Sequence, residues 1–574
     1  MTKCKIVSFT MSSSSALYDF IVVGGGTSGC VVASRLSEDT TINVLLLEAG
    51  PNDEEGGDLI RIPRNLAATM KTKYDWDYKT VPQLHACKAY RDNVCVWPRG
   101  KILGGSTSIN GLAYVRGHRE DFDSWKRLGC DGWGWNDVLP FFQKFENFIG
   151  KGSAEEQKYG KMDISDNLFG RSEASKKFIR AGVELGYENV DINNNSGLNI
   201  GVGTFPSIVT SEGVRRSTAV AYIHPSRHRS NLTIVTNAHV TKVDIRHKRA
   251  VGVFAYVGNE LKYFSARKEV VLCGGAINSP QVLMLSGIGP KEHLEELGIV
   301  CIQDLPVGKN LQDHMDIHVK ADVKPGSDVF TINKSLPSSN QSEVAAFIRT
   351  KLETQMWPDL EIQPLSLFYA FGLLAPLLYP LRSPRFYPYF GFDTPIAEYR
   401  QREGYTYQLI LLHPKSRGEI RLQSTDPLMY PKIDPHYLEN QHDVDVLVEA
   451  IRIAKTISES KAMSPLELKH VDLKMPSSLH STWSSENLEE YVRHFAWTLY
   501  HPVGTCKMGA SNDSTAVVDP QLRVKGITGL RVVDASIMPH LTSGNTMSPS
   551  IMIGEKGADL IRETRTHHTD ASKL

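Results

Sequence analysis

Asp19-Phe20-Ile21-Val22-Val23 runs without a break into Gly24-Gly25-Gly26-Thr27-Ser28-Gly29, and this junction decides the fold. A short apolar run bounded by glycine reads as a buried parallel strand. The six residues after it satisfy G-x-G-x-x-G. Cys30 to Leu36 is compatible with a helix, and Val44-Leu45-Leu46-Leu47 reads as a second buried strand ending at Glu48. Gly24 permits the tight turn, Gly26 lets backbone approach a pyrophosphate, and Gly29 allows close helix–strand packing. Thr27 and Ser28 open the helix, whose N-terminal amides and dipole favour phosphate charge. Glu48, 19 residues after Gly29, is placed to accept hydrogen bonds from ribose hydroxyls, and an acid there disfavours a 2′-phosphate. The unit predicts a Rossmann-like dinucleotide-binding domain in an α/β protein. It leaves FAD and NAD undivided.

The rest of the chain bounds the possibilities. It has 574 residues, 64 Lys+Arg against 64 Asp+Glu, 41% hydrophobic and 22% charged residues. At roughly 100–200 residues per domain this predicts two or three domains with ample core. Balanced charge argues against a nucleic-acid partner, and no apolar run approaches the roughly 18 residues that span a bilayer. None of the eight cysteines falls in a CxxC pair, so no metal site is expected. Thiols this sparse suit a reducing compartment, with Cys87 and Cys95 bridging only in a secreted protein. The first 16 residues lack a secretory apolar core and carry no Arg, so they read as a disordered leader. The last three, Ser572-Lys573-Leu574, are the tripeptide read by the peroxisomal import receptor. A peroxisomal location is expected.

Three further segments carry a family resemblance. The first is Pro98-Arg99-Gly100-Lys101-Ile102-Leu103-Gly104-Gly105-Ser106-Thr107-Ser108-Ile109-Asn110-Gly111. The second is Gly275-Ala276-Ile277-Asn278-Ser279-Pro280, with a helix expected from Ser279 onward, running on to Ser286-Gly287-Ile288-Gly289. The third is His501-Pro502-Val503-Gly504-Thr505-Cys506-Lys507-Met508-Gly509, with Asp534-Ala535-Ser536 and Ser543-Gly544-Asn545-Thr546 downstream. With the N-terminal fingerprint they closely resemble the glucose-methanol-choline family of FAD-dependent oxidoreductases, in the family's order from about Tyr18 to Arg562. The resemblance implies FAD as cofactor. It implies that Arg99 and the run from Gly104 through Ser106 to Asn110 and Gly111 lie along the flavin and ribityl chain. It also implies backbone contact of Val240 with the adenine and cofactor contacts from Asp534, Ala535, Asn545 and Thr546. Small residues after Gly104 suit a loop that passes close to a flat ring. Where some members attach FAD through a histidine, this chain has Trp97, so the flavin is expected to be non-covalent.

Removing hydride from an alcohol carbon requires a base for the hydroxyl proton, and histidine titrates near operating pH. By resemblance His501 is that base, and Asn545 occupies the second catalytic position, where its amide donates to the substrate oxygen. His540 does not match the motif and reads as structural.

The expected architecture is a discontinuous FAD-binding domain, 17–315 and 497–566, with a substrate cap at 316–496 containing an antiparallel sheet and a flexible tail at 567–574. Within the cap, Leu365 to Phe392 is rich in Leu, Phe and Tyr and broken by prolines, which forbid one long helix. Such a segment suits an apolar substrate mouth, a lip on a lipid surface, a covered core segment or a subunit contact. A mouth favours a long-chain primary alcohol, with O2 as acceptor and hydrogen peroxide as by-product. Choline oxidation with another acceptor is the alternative, Glu361 being one candidate carboxylate for a quaternary ammonium. A redox-inactive lyase on the same scaffold is a third. Because Trp97 offers no linkage atom, acid precipitation is expected to leave the flavin in the supernatant. Flavin retained in the pellet would contradict non-covalent binding.

Overall fold

The computed structural model describes residues 17–149, 160–166, 171–324, 343–365, 404–470, 473, 475 and 480–571, with side chains as far as residue 564. The leader 1–16, the segment 366–403 that holds nearly all of the apolar run, and Ser572-Lys573-Leu574 lie outside these residues.

Strand β1 (Leu17–Val23), helix α1 (Thr27–Leu36) and strand β2 (Val44–Leu47) form as the pattern predicts. Residues Phe20 to Val23 and Val44 to Leu47 are all buried, as a parallel sheet covered on both faces requires. β1 sits centrally in a seven-stranded sheet, with β2 and then Leu232–Val235 parallel on one side. On its other side lies the long strand Glu260–Leu272, which is parallel to β1 and to Leu530–Val532 at its C-terminal end. Its N-terminal end turns into an antiparallel meander with Arg249–Val257 and Ala238–Arg246.

The second sheet is antiparallel, with strands in the order Lys469–His470, Met315–Asp322, Gly404–Leu411, Leu360–Leu365, Val344–Ile348 and Gly201–Thr204, and Trp497–Thr498 also on Met315–Asp322. This sheet crosses the expected boundaries at both ends. Gly201–Thr204 comes from within 17–315 and Trp497–Thr498 from within 497–566. Edge strands take whatever partner lies beside them in space, which a linear boundary does not record.

Two helices far apart in sequence meet on one face. α1 packs against the C-terminal helix Met547–Ala571. Arg35 makes a bidentate bond to Glu555, 2.8 Å at its shortest, and the Tyr222 hydroxyl donates to the same carboxylate at 2.6 Å. Ser28 Oγ donates to the Ser550 carbonyl at 2.7 Å.

Two local expectations are corrected. Cys87 and Cys95 form a disulfide, with Cα atoms 6.6 Å apart. The reading as free thiols rested on composition, whereas the short hairpin of Tyr78–Lys79 with Val96–Trp97 brings the two together. The helix placed from Ser279 onward begins at Gly275 and runs to Leu285. Pro280 lacks an N–H for the Ala276 carbonyl, and the Thr505 hydroxyl donates to that carbonyl instead, at 2.7 Å. The helix therefore tolerates its proline through a contact from a distant motif. No helix among the described residues is long and apolar enough to cross a membrane.

Gly29 shows how tightly β1 and α1 meet, because a Cβ there would lie 1.9 Å from the Gly24 carbonyl oxygen. Gly29→Ala is expected to force the turn apart at a cost of about 1–3 kcal/mol. The purified variant should show a lower flavin-to-protein absorbance ratio and an earlier thermal midpoint.

Candidate functional site

The carboxyl ends of β1, β2 and Glu260–Leu272 open into a cavity of about 320 Å³ that extends to the second sheet. Open parallel sheets place ligands at this edge. Gly24, Gly26, Thr27, Ser28 and Glu48 line it, as do Arg99, Ser106, Asn110 and Gly111. Val240, Asp534, Ala535, Thr546, His501 and Asn545 complete the set brought together from the sequence. Gly29 and Gly104 do not line it; they stand one layer behind, where they allow neighbouring backbone to close up. Trp97 is buried outside the wall, its ring 6.3 Å from that of Tyr437. His540 is also outside it, its carbonyl accepting from Trp125 Nε1 at 3.1 Å while burial pushes its imidazole down to about 4.

The wall fits a dinucleotide. Gly26 caps α1 with no side chain on the first-turn amides, so those donors face the cavity unspent. A Cβ on Gly105 would lie 2.6 Å from Gly26 Cα, and Gly104 N donates to the Gly25 carbonyl at 2.7 Å. The cavity floor here is bare backbone. Glu48 accepts from Gly25 N at Oε2 and from Gly50 N at Oε1, both at 2.8 Å. Burial pushes its pKa up to about 7 while these amides pull the other way. It therefore shapes the glycine turn, and each oxygen keeps a lone pair for a ribose hydroxyl. Asp534 ties two loops together, Oδ2 accepting from Gly275 N at 2.9 Å and from Ser279 Oγ at 2.5 Å.

His501 is placed by the backbone that precedes it. Its N–H donates to Asp313 Oδ1 at 2.7 Å, and Tyr500 adopts a left-handed φ of 67°. Asp313 Oδ2 also accepts from the Thr498 hydroxyl at 2.5 Å and from the Tyr437 hydroxyl. Backbone bonds pair Gln312 with Val503 and Leu499 N with the His314 carbonyl. On the other side, Asp121 accepts from Ser543 N and Oγ at 2.7 and 2.8 Å, which anchors the turn carrying Asn545.

The hydrogen-bond partners then assign the tautomers. His314 Nε2 lies 3.0 Å from the Leu412 carbonyl, which only accepts, so that nitrogen carries the hydrogen. Burial pushes His314 down to about 3, so the ring is neutral and its Nδ1 is bare. His501 Nδ1, 2.9 Å from it, must donate. That leaves the lone pair of His501 on Nε2, 3.2 Å from Asn545 Nδ2. Burial holds His501 well below its usual value, with His314 and the Arg99 charge adding to the effect. The site thus presents a neutral imidazole with its basic nitrogen beside an amide donor, the two kinds of group that proton removal and oxygen binding require.

Sequence reasoning missed His314, Asp313 and Arg215. Asp313-His314 stands immediately before a strand, the one available signal, but nothing local couples it to residue 501. Arg215 is buried, and its Nη1 donates to the Thr107 carbonyl at 3.1 Å and the Asn110 carbonyl at 2.7 Å. It clamps the loop that carries Ser106 and Asn110.

Comparison with known proteins agrees with this geometry. Residues 18–316 and 414–554 match the N- and C-terminal models of GMC oxidoreductase. The chain is 36% identical to alcohol dehydrogenase (acceptor) of Pseudomonas putida, over 97% of this chain and 98% of the relative. It is likewise 36% identical to oxygen-dependent choline dehydrogenase 1 of Chromohalobacter salexigens, over 95% of each. Among solved structures, pyridoxine 4-oxidase from Mesorbium loti superposes with a TM-score of 0.80 at 30% identity, covering 95% of this chain and 99% of that one.

If His314 sets the tautomer of His501, His314→Ala should lower the rate of flavin reduction about 10- to 100-fold while the bound flavin keeps its visible spectrum. Stopped-flow mixing with substrate under anaerobic conditions measures this, and an unchanged rate would remove His314 from the mechanism.

Proposed function

The chain belongs to the GMC oxidoreductase family, FAD-dependent enzymes acting on CH–OH groups, and from that premise we propose that it oxidises a primary alcohol to the aldehyde with His501 as base. One observation carries the reading: the bare Nε2 of His501 faces the Asn545 amide inside the cavity. Bound FAD supplies a two-electron acceptor for the carbinol hydride. The protein's part is to remove the hydroxyl proton, which His501 Nε2 takes, and to steady the oxygen as charge builds on it. Asn545 Nδ2 and the positive charge of Arg99 serve that second role. Arg99 N donates to Asp75 Oδ1 at 2.9 Å, which fixes the start of its loop.

Dioxygen is proposed as the final acceptor, giving hydrogen peroxide, and the peroxisome as the location. Both are supported by Ser572-Lys573-Leu574, since peroxide made there is consumed there. A long-chain alcohol is the substrate that the apolar run from Leu365 to Phe392 supports. A choline-type substrate is a second reading, supported by the likeness to choline dehydrogenase 1.

The test is anaerobic addition of alcohols to the flavoprotein, followed by peroxide release in air across a panel of choline, glucose, benzyl alcohol and primary alcohols of increasing length. Bleaching by an alcohol is expected; a flavin that no alcohol bleaches would point to the lyase alternative. His501→Ala should slow bleaching about 10²–10⁴-fold, the usual contribution of a positioned base, and Asn545→Ala less. Because burial lowers the His501 pKa, the basic form persists as pH falls through 6.5. The rate is therefore expected to stay flat from neutral to mildly acid pH, and a fall centred near 6.5 would contradict it.

A further inference from the structure

The second sheet meets the cavity through an unusual wall. Gln363, on Leu360–Leu365, and Gln408, on Gly404–Leu411, pair directly across the two strands, and both line the cavity. Residues two apart share a face, so Glu361 stands on the same face as Gln363. Asp316, on Met315–Asp322, stands beside Gln408. Glu361 and Asp316 are each 0% exposed. Gln363 Nε2 donates to Glu361 Oε1 at 2.7 Å, and Gln408 Nε2 donates to Asp316 Oδ2, which also faces His318 Nε2 at 3.2 Å.

These contacts fix both amides. A carboxylate oxygen accepts, so each amide turns its nitrogen toward the carboxylate and its oxygen away. Burial pushes Glu361 up to about 8; ionised or neutral, its carboxyl keeps a bare oxygen that accepts from Gln363 Nε2. Glu361 Oε2 and Asp316 Oδ1 have no partner among the described residues. None of these residues donates to the oxygen of Gln363 or Gln408 either. Asp316 Oδ1 and the two amide oxygens are therefore acceptors without a donor among the described residues, and a buried acceptor left so is costly.

We propose that Gln363 and Gln408 are a specificity-determining pair that binds a second hydrogen-bond donor of the substrate, a hydroxyl or an ammonium group remote from the reacting carbinol. The inference rests on the alcohol-oxidising reading of the same site and names the substrate class within it. A purely aliphatic alcohol would leave both amide oxygens unsatisfied, and a site built to hydrogen-bond discriminates strongly against the analogue that lacks the group.

The test uses the FAD-loaded full chain. Anaerobic flavin reduction is followed with a monoalcohol, its α,ω-diol and its ω-amino alcohol of equal length, over a series of chain lengths. Saturation yields the substrate Kd separately from the limiting rate. At the best length the diol or the amino alcohol is expected to bind at least about tenfold more tightly than the monoalcohol; the diol's preference identifies a hydroxyl and the amino alcohol's an ammonium. Gln363→Leu and Gln408→Leu should each bring that ratio of Kd values toward one. Glu361→Gln, whose new amide can donate to the Gln363 oxygen and turn that amide over, should weaken the preference as well and serves if the leucine variants lose flavin. Bleaching by all three alcohols with equal Kd values overturns the pair and leaves the alcohol-oxidising reading standing. No bleaching by any alcohol overturns that reading and the pair with it.

Discussion

Everything in this molecule depends on how closely backbone meets backbone at the end of β1. Gly26 and Gly105 come within the space of one Cβ, and the Gly104 amide donates to the Gly25 carbonyl. The Cys273 amide donates to the Val23 carbonyl at 2.7 Å from a third direction. Three stretches far apart in sequence thus share one floor made of main chain. Side chains there would hold the strands apart and fill the space intended for phosphate.

The candidate catalytic residues hang from that floor through a few buried polar links. Thr505 satisfies the Ala276 carbonyl that Pro280 leaves open, and Asp534 clasps Gly275 and Ser279. Asp313 gathers Thr498, Tyr437 and His501. A buried polar atom left without its partner costs about 1–3 kcal/mol, so each link resists sliding of the catalytic loop against the cofactor loop. The position of His501 is therefore set by the same contacts that shape the dinucleotide end. Its chemical state is set separately, by the chain of donors and acceptors from the Leu412 carbonyl through His314.

The two ends of the cavity follow different rules. At the sheet edge the ligand faces amides and glycines, a surface that suits phosphate whatever the neighbouring side chains. At the second sheet it faces amides of glutamine, each held by a buried carboxylate, and here the side chains decide. That difference explains why the first end was legible in one dimension. Gly24 to Gly29, Glu48, and the runs from Arg99 and His501 are local patterns, since turn geometry and strand burial depend on adjacent residues.

The remainder belonged to contacts between residues hundreds of positions apart. His314 is one of 19 histidines, and nothing beside it in the chain marks it as the partner of His501, 187 residues away. Cys87 and Cys95 looked like thiols on composition, because only the hairpin brings them together. Glu361 was a carboxylate with no address until the strand Leu360–Leu365 set it beside Gln363 on one face and pairing with Gly404–Leu411 turned that face to the cavity. Local pattern was enough for the Rossmann-like unit, because periodicity and turn chemistry act over a few residues, whereas FAD and the candidate base came from the family resemblance of longer motifs. The tautomer of that base, the clamp of Arg215 and the polarity of the substrate wall arose only on folding, because hydrogen-bond direction and burial are properties of the packed chain.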